Sequence, residues 1–277
     1  MRDRALGLSE ASARHPLRLP ADNDAYAPEF PQGLTWVNVA FLRMAQQIGS
    51  PILVEFFDFA RINSVRTLPY VLAWHERYRS AGLRVIGVHS PGYSFGRDPD
   101  VTAAAVERLG IPYAVVLDPD FEVWREYGNR GWPARYVFDR RGVLRYVHWG
   151  EGEYDETEQI IQELLWEADP ELELPAPLEP LRPEDAPDAH MEPQTADVAL
   201  PAEADRVELS GQWSEGEDFL EAREAGASAS VSWRGGEAYA VLSGTVEPGL
   251  CETDGKVVAQ GPGLRVHGFQ FTPTPPG

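Results

Sequence analysis

Short apolar runs alternate with segments of helical period from about residue 30 to residue 167. Pro51–Phe57 (PILVEFF) is β-branched and aromatic with no breaker inside it, which predicts a buried strand. Ser64–Ala81 carries Leu68, Val71, Leu72, Trp74 and Tyr78 at helical spacing and stops at Gly82. Leu83–Val88 (LRVIGV) predicts a second strand, Val101–Leu109 a helix ended by Gly110, and Tyr113–Leu117 (YAVVL) a third strand. Asp118-Pro119-Asp120 then turns into a short helix containing Phe121, Val123, Trp124 and Tyr127. Arg135–Phe138 and Val143–Trp149 flank the turn Asp139-Arg140-Arg141-Gly142 and read as an antiparallel hairpin. A last helix over Asp155–Trp166 places Ile160, Ile161, Leu164 and Leu165 on one stripe. The order β-α-β-α-β-α-β-β-α predicts an α/β sheet, parallel at first and closed by a hairpin.

The pattern breaks at Ala168. Through Asp205 the chain has eight prolines and eleven acidic residues, with Arg182 the only Lys or Arg. So little of it can bury that it reads as a linker or a segment draped along the surface. After it come short alternating runs: Val207–Leu209, Ala227–Trp233, Ala238–Leu242, Lys256–Ala259 and Leu264–Phe271. Gly and Pro turns separate them, which predicts a small all-β sandwich. The expected organisation is an irregular segment over 1–30, an α/β domain over 31–167, an acidic linker over 168–205, a sandwich over 206–272 and a disordered tail over 273–277.

Composition narrows the function more than the fold. Of the 277 residues 43% are hydrophobic, enough for a real core. Asp and Glu total 44 against 24 Lys and Arg, a formal charge of -20. Such a surface repels phosphate backbones and anionic headgroups, so neither nucleic acid nor membrane is expected as a partner. Two early arginines are followed by no apolar run of signal-peptide type, and no stretch has the length of a membrane span, so cytoplasmic residence is expected. Cys251 is the one cysteine, and it cannot close an intramolecular disulfide or build a cysteine-based metal cage.

At the end of the first long strand stands Asp58-Phe59-Ala60-Arg61-Ile62-Asn63-Ser64-Val65-Arg66-Thr67-Leu68-Pro69-Tyr70. This stretch resembles the redoxin/TlpA (AhpC/TSA-like) branch of the thioredoxin superfamily, particularly the DipZ-like thiol–disulfide oxidoreductases, whose motif is similar to F-W-T-Y-x-C-I-N-C-L-R-T-L-P-Y. The resemblance continues through VIGVHSPGYSFGRDPD, VVLDPDFEVWREYGN, WPARYVFDRRG and HWGEGEYDETEQIIQELL, covering roughly Ala27–Leu165. Trp36-Val37-Asn38 looks like the family's N-terminal extension. The C-terminal part is similar, more weakly, to the carbohydrate-binding-module-like domain of DipZ-like proteins. The resemblance implies a thioredoxin-like fold in which Arg61 and Ser64 stand at the two cysteine positions of a degenerate CxxC. It also implies that Trp132-Pro133 is the family's cis-proline loop, facing the motif.

Exchange needs a thiolate that attacks and a second thiol that resolves the mixed disulfide. Serine and arginine supply neither, so no catalytic residue is expected here, and no cofactor. A cation at a helix start opposes the macrodipole, so Arg61 should pair with Asp58 or the acidic run Glu151, Glu153, Asp155, or else hold an anionic ligand. The expected ligand face comprises Asp58, Arg61, Asn63, Ser64, His89, Trp132 and Pro133, open to a protein, a peptide or a small anion. One alternative is an enzyme working through Asp58, Arg61, Ser64 and His89 without a thiol. Another is a sugar-binding sandwich using Trp213, Trp233 and Tyr239, although aromatics on strands are more often core. His75, His89 and His148 show no metal-ligand spacing, so no metal is expected. Ser64 with a histidine and Asp58 lacks a nucleophile elbow. Gly92–Gly96 lacks the Lys-Ser/Thr ending of a phosphate loop.

Overall fold

The computed structural model describes residues 16–187 and 189–275. Its first half is one seven-stranded sheet. In chain order the elements are β1 (Leu17–Arg18), β2 (Trp36–Val37), β3 (Ile52–Phe57), α1 (Ile62–Tyr78), β4 (Arg84–His89), α2 (Pro99–Arg108), β5 (Ala114–Leu117), α3 (Glu122–Glu126), β6 (Ala134–Phe138), β7 (Leu144–Trp149) and α4 (Tyr154–Ala168). The strand order is β1-β7-β6-β3-β4-β5-β2, with β3, β4 and β5 parallel and the β6–β7 hairpin antiparallel to β3. This is a thioredoxin-like sheet, with the element order the hydrophobic pattern predicts.

Strand alternation explains the layers. Leu53 and Phe57 face α1 and α4 with Trp74, Tyr78, Ile161 and Leu165. Ile52, Val54 and Phe56 face the other way, against Phe30, Met44, Val123 and Tyr127. Both faces of β3 are therefore covered, which is why both sets of alternating positions are apolar, Glu55 excepted. Gly82, at φ +108, follows α1 where a side chain would be strained.

The second half contributes β8 (Val198–Ala199), β9 (Glu208–Ser210), β10 (Trp213–Glu215), β11 (Leu220–Ala222), β12 (Ser228–Ser230), β13 (Ala238–Gly244), β14 (Gly249–Thr253), β15 (Lys256–Val258) and β16 (Leu264–Phe271). One antiparallel sheet runs β10-β11-β16-β13-β14 with β8 added beside β16, and a second runs β15-β12-β9. Ala229, Ala240, Val266 and Phe271 are in the core shared by the two sheets.

Four details depart from the sequence reading. Within the segment expected to be irregular, β1 pairs with β7, while residues 1–15 lie outside the described chain. Of the two forms expected for 168–205, a linker or a draped segment, the structure has the draped one, with contacts that the pattern does not show. Leu172, Leu174 and Leu178 pack on the α1/α4 core, Arg182 donates to the carbonyl of Arg66, and β8 belongs to the sandwich. Its apolar residues are too sparse to show a period, so pattern analysis sees only prolines and charge. In the expected disordered tail, the Thr274 carbonyl accepts from Glu192, and residues 276–277 lie outside the described chain. Strands β2, β8, β10, β11 and β14 are further elements that the pattern does not predict; β2 and β8, at two residues each, are too short to carry alternation. Among the described residues no helix is long and apolar enough to cross a membrane.

Trp74, on α1, is fully buried. Trp74→Ala should lower the unfolding free energy by about 3–5 kcal/mol, read from urea denaturation.

Candidate functional site

The chain leaves β3 at Asp58 and enters α1 at Ile62, so the motif forms the turn between them. Asp58 organises that turn. Its Oδ1 accepts from the Ala60 N–H at 2.9 Å and its Oδ2 from the Gly92 N–H at 2.8 Å, while its own N–H donates to Ser64 Oγ at 3.2 Å. His89 Nε2 lies 3.5 Å from Oδ1. Burial by itself would raise the Asp58 pKa, but the contacts with His89, the Ala60 amide and Arg61 outweigh it and hold the carboxyl below its ordinary value. A side chain at Gly92 would collide with both Asp58 and Arg61, since a Cβ there would lie 2.8 Å from Asp58 Oδ2. That close approach accounts for this glycine without a phosphate.

Arg61 is the N-cap residue of α1, with extended backbone (φ -110, ψ 118) and no side-chain cap. Its guanidinium lies 4.9 Å over the Tyr93 ring and 5.1 Å over the Trp132 ring, with Nε 4.0 Å from Asp58 Oδ2. Of the acidic partners expected from sequence, Asp58 takes Arg61, and Glu151 pairs instead with Arg66 at 2.6 Å. Asp197, from the C-terminal half, adds a second negative charge felt by Arg61.

The seven expected face residues do gather here, but at different depths. Asp58, Ser64, His89 and Pro133 are buried, whereas Arg61, Asn63 and Trp132 are partly exposed. The Trp132-Pro133 bond is cis, the Pro133 carbonyl accepts from the Gly150 amide at 2.7 Å, and Trp132 Nε1 donates to the Ser90 carbonyl at 2.9 Å. Ser64 Oγ is occupied by the Asp58 amide, and the His89 ring stacks on Phe59 at 5.1 Å. This arrangement does not assemble a Ser64–His–Asp58 relay. A cavity of about 270 Å³ opens beside it at the carboxyl ends of β4 and β5, lined by His89, Leu117 and Asp118 among others. No group of three or more His, Cys, Asp or Glu among the described residues is placed to hold a metal ion.

The sandwich reaches this site, which the sequence reading did not foresee. Gln270 on β16 is buried, and its side-chain amide is inserted at the start of α1. Oε1 accepts from the Ile62 N–H at 2.7 Å, and Nε2 donates to the Ala60 carbonyl at 2.8 Å and to the Tyr93 hydroxyl at 3.1 Å. Asp218 accepts from the Ser94 amide at 2.6 Å and from its hydroxyl at 2.8 Å. Contacts with His267 and Ser94 hold the Asp218 carboxyl down at about 2 against the opposing effect of burial. His267 in turn lies 2.8 Å from Ser243 Oγ and edge-on to Phe95. Val241 completes the contact, packed with Phe59, Ala60, Tyr93 and Ala105. The sandwich tryptophans are partly buried against its core, with Trp213 Nε1 donating to the Ser210 carbonyl and Trp233 Nε1 to the Gly236 carbonyl.

Glu55 was also missed, although a lone carboxylate inside PILVEFF is a visible signal. It is fully buried on the α1 side of β3, opposite Arg135, and accepts from the Tyr113 hydroxyl at 3.2 Å. Burial pushes its pKa from 4.5 up to about 8, against the lowering influence of Arg135 and Tyr113. The unfolded chain releases this proton near 4.5 and the folded chain only near 8, so Glu55 favours folding fully below pH 4.5 and loses that contribution as pH rises to 8. Glu55→Gln should remove this dependence. The variant-minus-wild-type stability should climb between those pH values by at most about 1.4 kcal/mol per unit, measured by denaturation at several pH values.

Residues 41–147 match the AhpC/TSA family. Protein DipZ of Mycobacterium bovis is 39% identical over 147 residues, which are 53% of this chain and 21% of that protein. The thiol-disulfide oxidoreductase YkuV of Bacillus subtilis is 27% identical over 143 residues, 51% of this chain and 95% of YkuV. The structure of a thiol-disulfide isomerase from Corynebacterium glutamicum is 23% identical, with a TM-score of 0.45, covering 50% of this chain and 96% of that one. The chain thus spans about a fifth of the length of DipZ. Residues 41–147 are thus similar to the AhpC/TSA family, within a sheet of thioredoxin-like topology.

Proposed function

We propose that this chain is a binding protein built on a redoxin domain that no longer exchanges disulfides. One observation carries the reading: the two positions at the first turn of α1 hold Arg61 and Ser64, and the chain's one cysteine, Cys251, is exposed on β14 of the sandwich. A hydroxyl engaged by the Asp58 amide and a guanidinium stacked on two rings offer no nucleophile that a disulfide could accept.

What remains at the rim is a cationic and aromatic surface of Arg61, Asn63 and Trp132. It suits a protein or peptide segment, or a small anion drawn to Arg61. The overall charge of -20 disfavours nucleic acid and anionic membrane as partners. Cytoplasmic residence is part of the same proposal and rests on composition.

Insulin reduction by dithiothreitol tests it. The chain should leave the rate at the reagent-only level, and Cys251→Ser should behave identically. Catalysis by the chain that disappears in Cys251→Ser would overturn the proposal.

A further inference from the structure

A helix start buried beneath another domain must find partners for its free backbone groups, because its first N–H groups have no intrahelical acceptor. Arg61 supplies no side-chain cap. The Ile62 N–H, the Ala60 carbonyl and the Tyr93 hydroxyl are all taken by one group, the Gln270 carboxamide. A carboxamide has an acceptor and a donor side by side, as a peptide group does. It can therefore fill both backbone positions at once, where an Asp cap, which only accepts, would fill the N–H alone.

The sandwich is held in this place at several points. Asp218 takes the Ser94 amide and hydroxyl, Arg108 pairs with Glu247 at the edge, and Val241 is buried among Phe59, Ala60, Tyr93 and Ala105. The chain between the halves is itself pinned to α1, since the Tyr70 hydroxyl donates to Asp185 and Arg182 to the Arg66 carbonyl.

We propose that the sandwich is a tethered occupant of the binding face at the start of α1, with the Gln270 amide standing where an incoming ligand's amide would bind. This rests on the reading of that face as a binding surface. An external peptide gains the inner half of the face only by displacing a group held at an effective concentration on the order of millimolar or higher. The outer rim of Arg61, Asn63 and Trp132 stays accessible throughout.

Amide hydrogen exchange on the intact chain tests this directly. Ile62 stands at the first helical position, so protection of its amide must come from Gln270. In the wild-type chain it should exchange at least about tenfold more slowly than an unstructured amide. Gln270→Met, which keeps the volume and removes the amide, should abolish that protection while Val71 in mid-helix stays slow; Gln270→Ala serves as a second variant. A reporter thiol beneath the sandwich, Ala60→Cys in a Cys251→Ser chain, should react with an aromatic disulfide reagent about tenfold faster once Gln270→Met is added. An unprotected Ile62 in the wild type, protection that survives both Gln270 variants, or equal thiol rates would overturn the proposal. None of these outcomes touches the absence of disulfide exchange, which Cys251→Ser decides separately.

Discussion

The constraint that organises this molecule is the need to satisfy backbone polar groups at a buried helix start. In an open thioredoxin-like domain water can serve the first N–H groups of the helix. Here the sandwich excludes water, and each group left unpaired would cost about 1–3 kcal/mol. Gln270 removes that cost for Ile62 and Ala60 together, and Tyr93 adds a third bond from the same amide. The packing of the two halves and the state of the motif are thus one problem with one solution.

Arg61 fits the same frame. A cation at the positive end of a helix is unfavourable by about 0.3–1 kcal/mol. Two ring contacts at about 0.5–1 kcal/mol each in exposed settings are enough to offset it, before the carboxylates of Asp58 and Asp197 are counted. The arginine is therefore a stable resident of the motif and needs no bound anion to explain it. On β3, Glu55 keeps a proton well above its ordinary range in a core that holds no thiol.

Much of the thioredoxin-like half was legible because its signals are long. Strand β3 is six residues long and apolar except at Glu55, and α1 and α4 repeat their apolar positions over four turns or more. The partner of Arg61 was narrowed to a few carboxylates for a physical reason, and Asp58 is among them. Two things were not legible. Gln270 is an ordinary polar residue in an alternating strand, and nothing local marks it as the partner of a backbone 208 positions away. Strands β10 and β11 are three residues long, so their place is decided by their partners, β10 pairing with β11 and β11 with β16, rather than by their own sequence. Glu55 is different: its isolation within PILVEFF was readable, and only its depth and its pairing with Tyr113 required the fold.

The Gln270 amide holds the sandwich to the thioredoxin-like half. A double-mutant cycle between Tyr93→Phe and Gln270→Ala measures that contact with a single hydroxyl removed. Denaturant unfolding of the four chains should give a coupling energy of about 1 kcal/mol. Effects that add to within about 0.3 kcal/mol would mean that the two side chains do not meet in solution, and the account would fail.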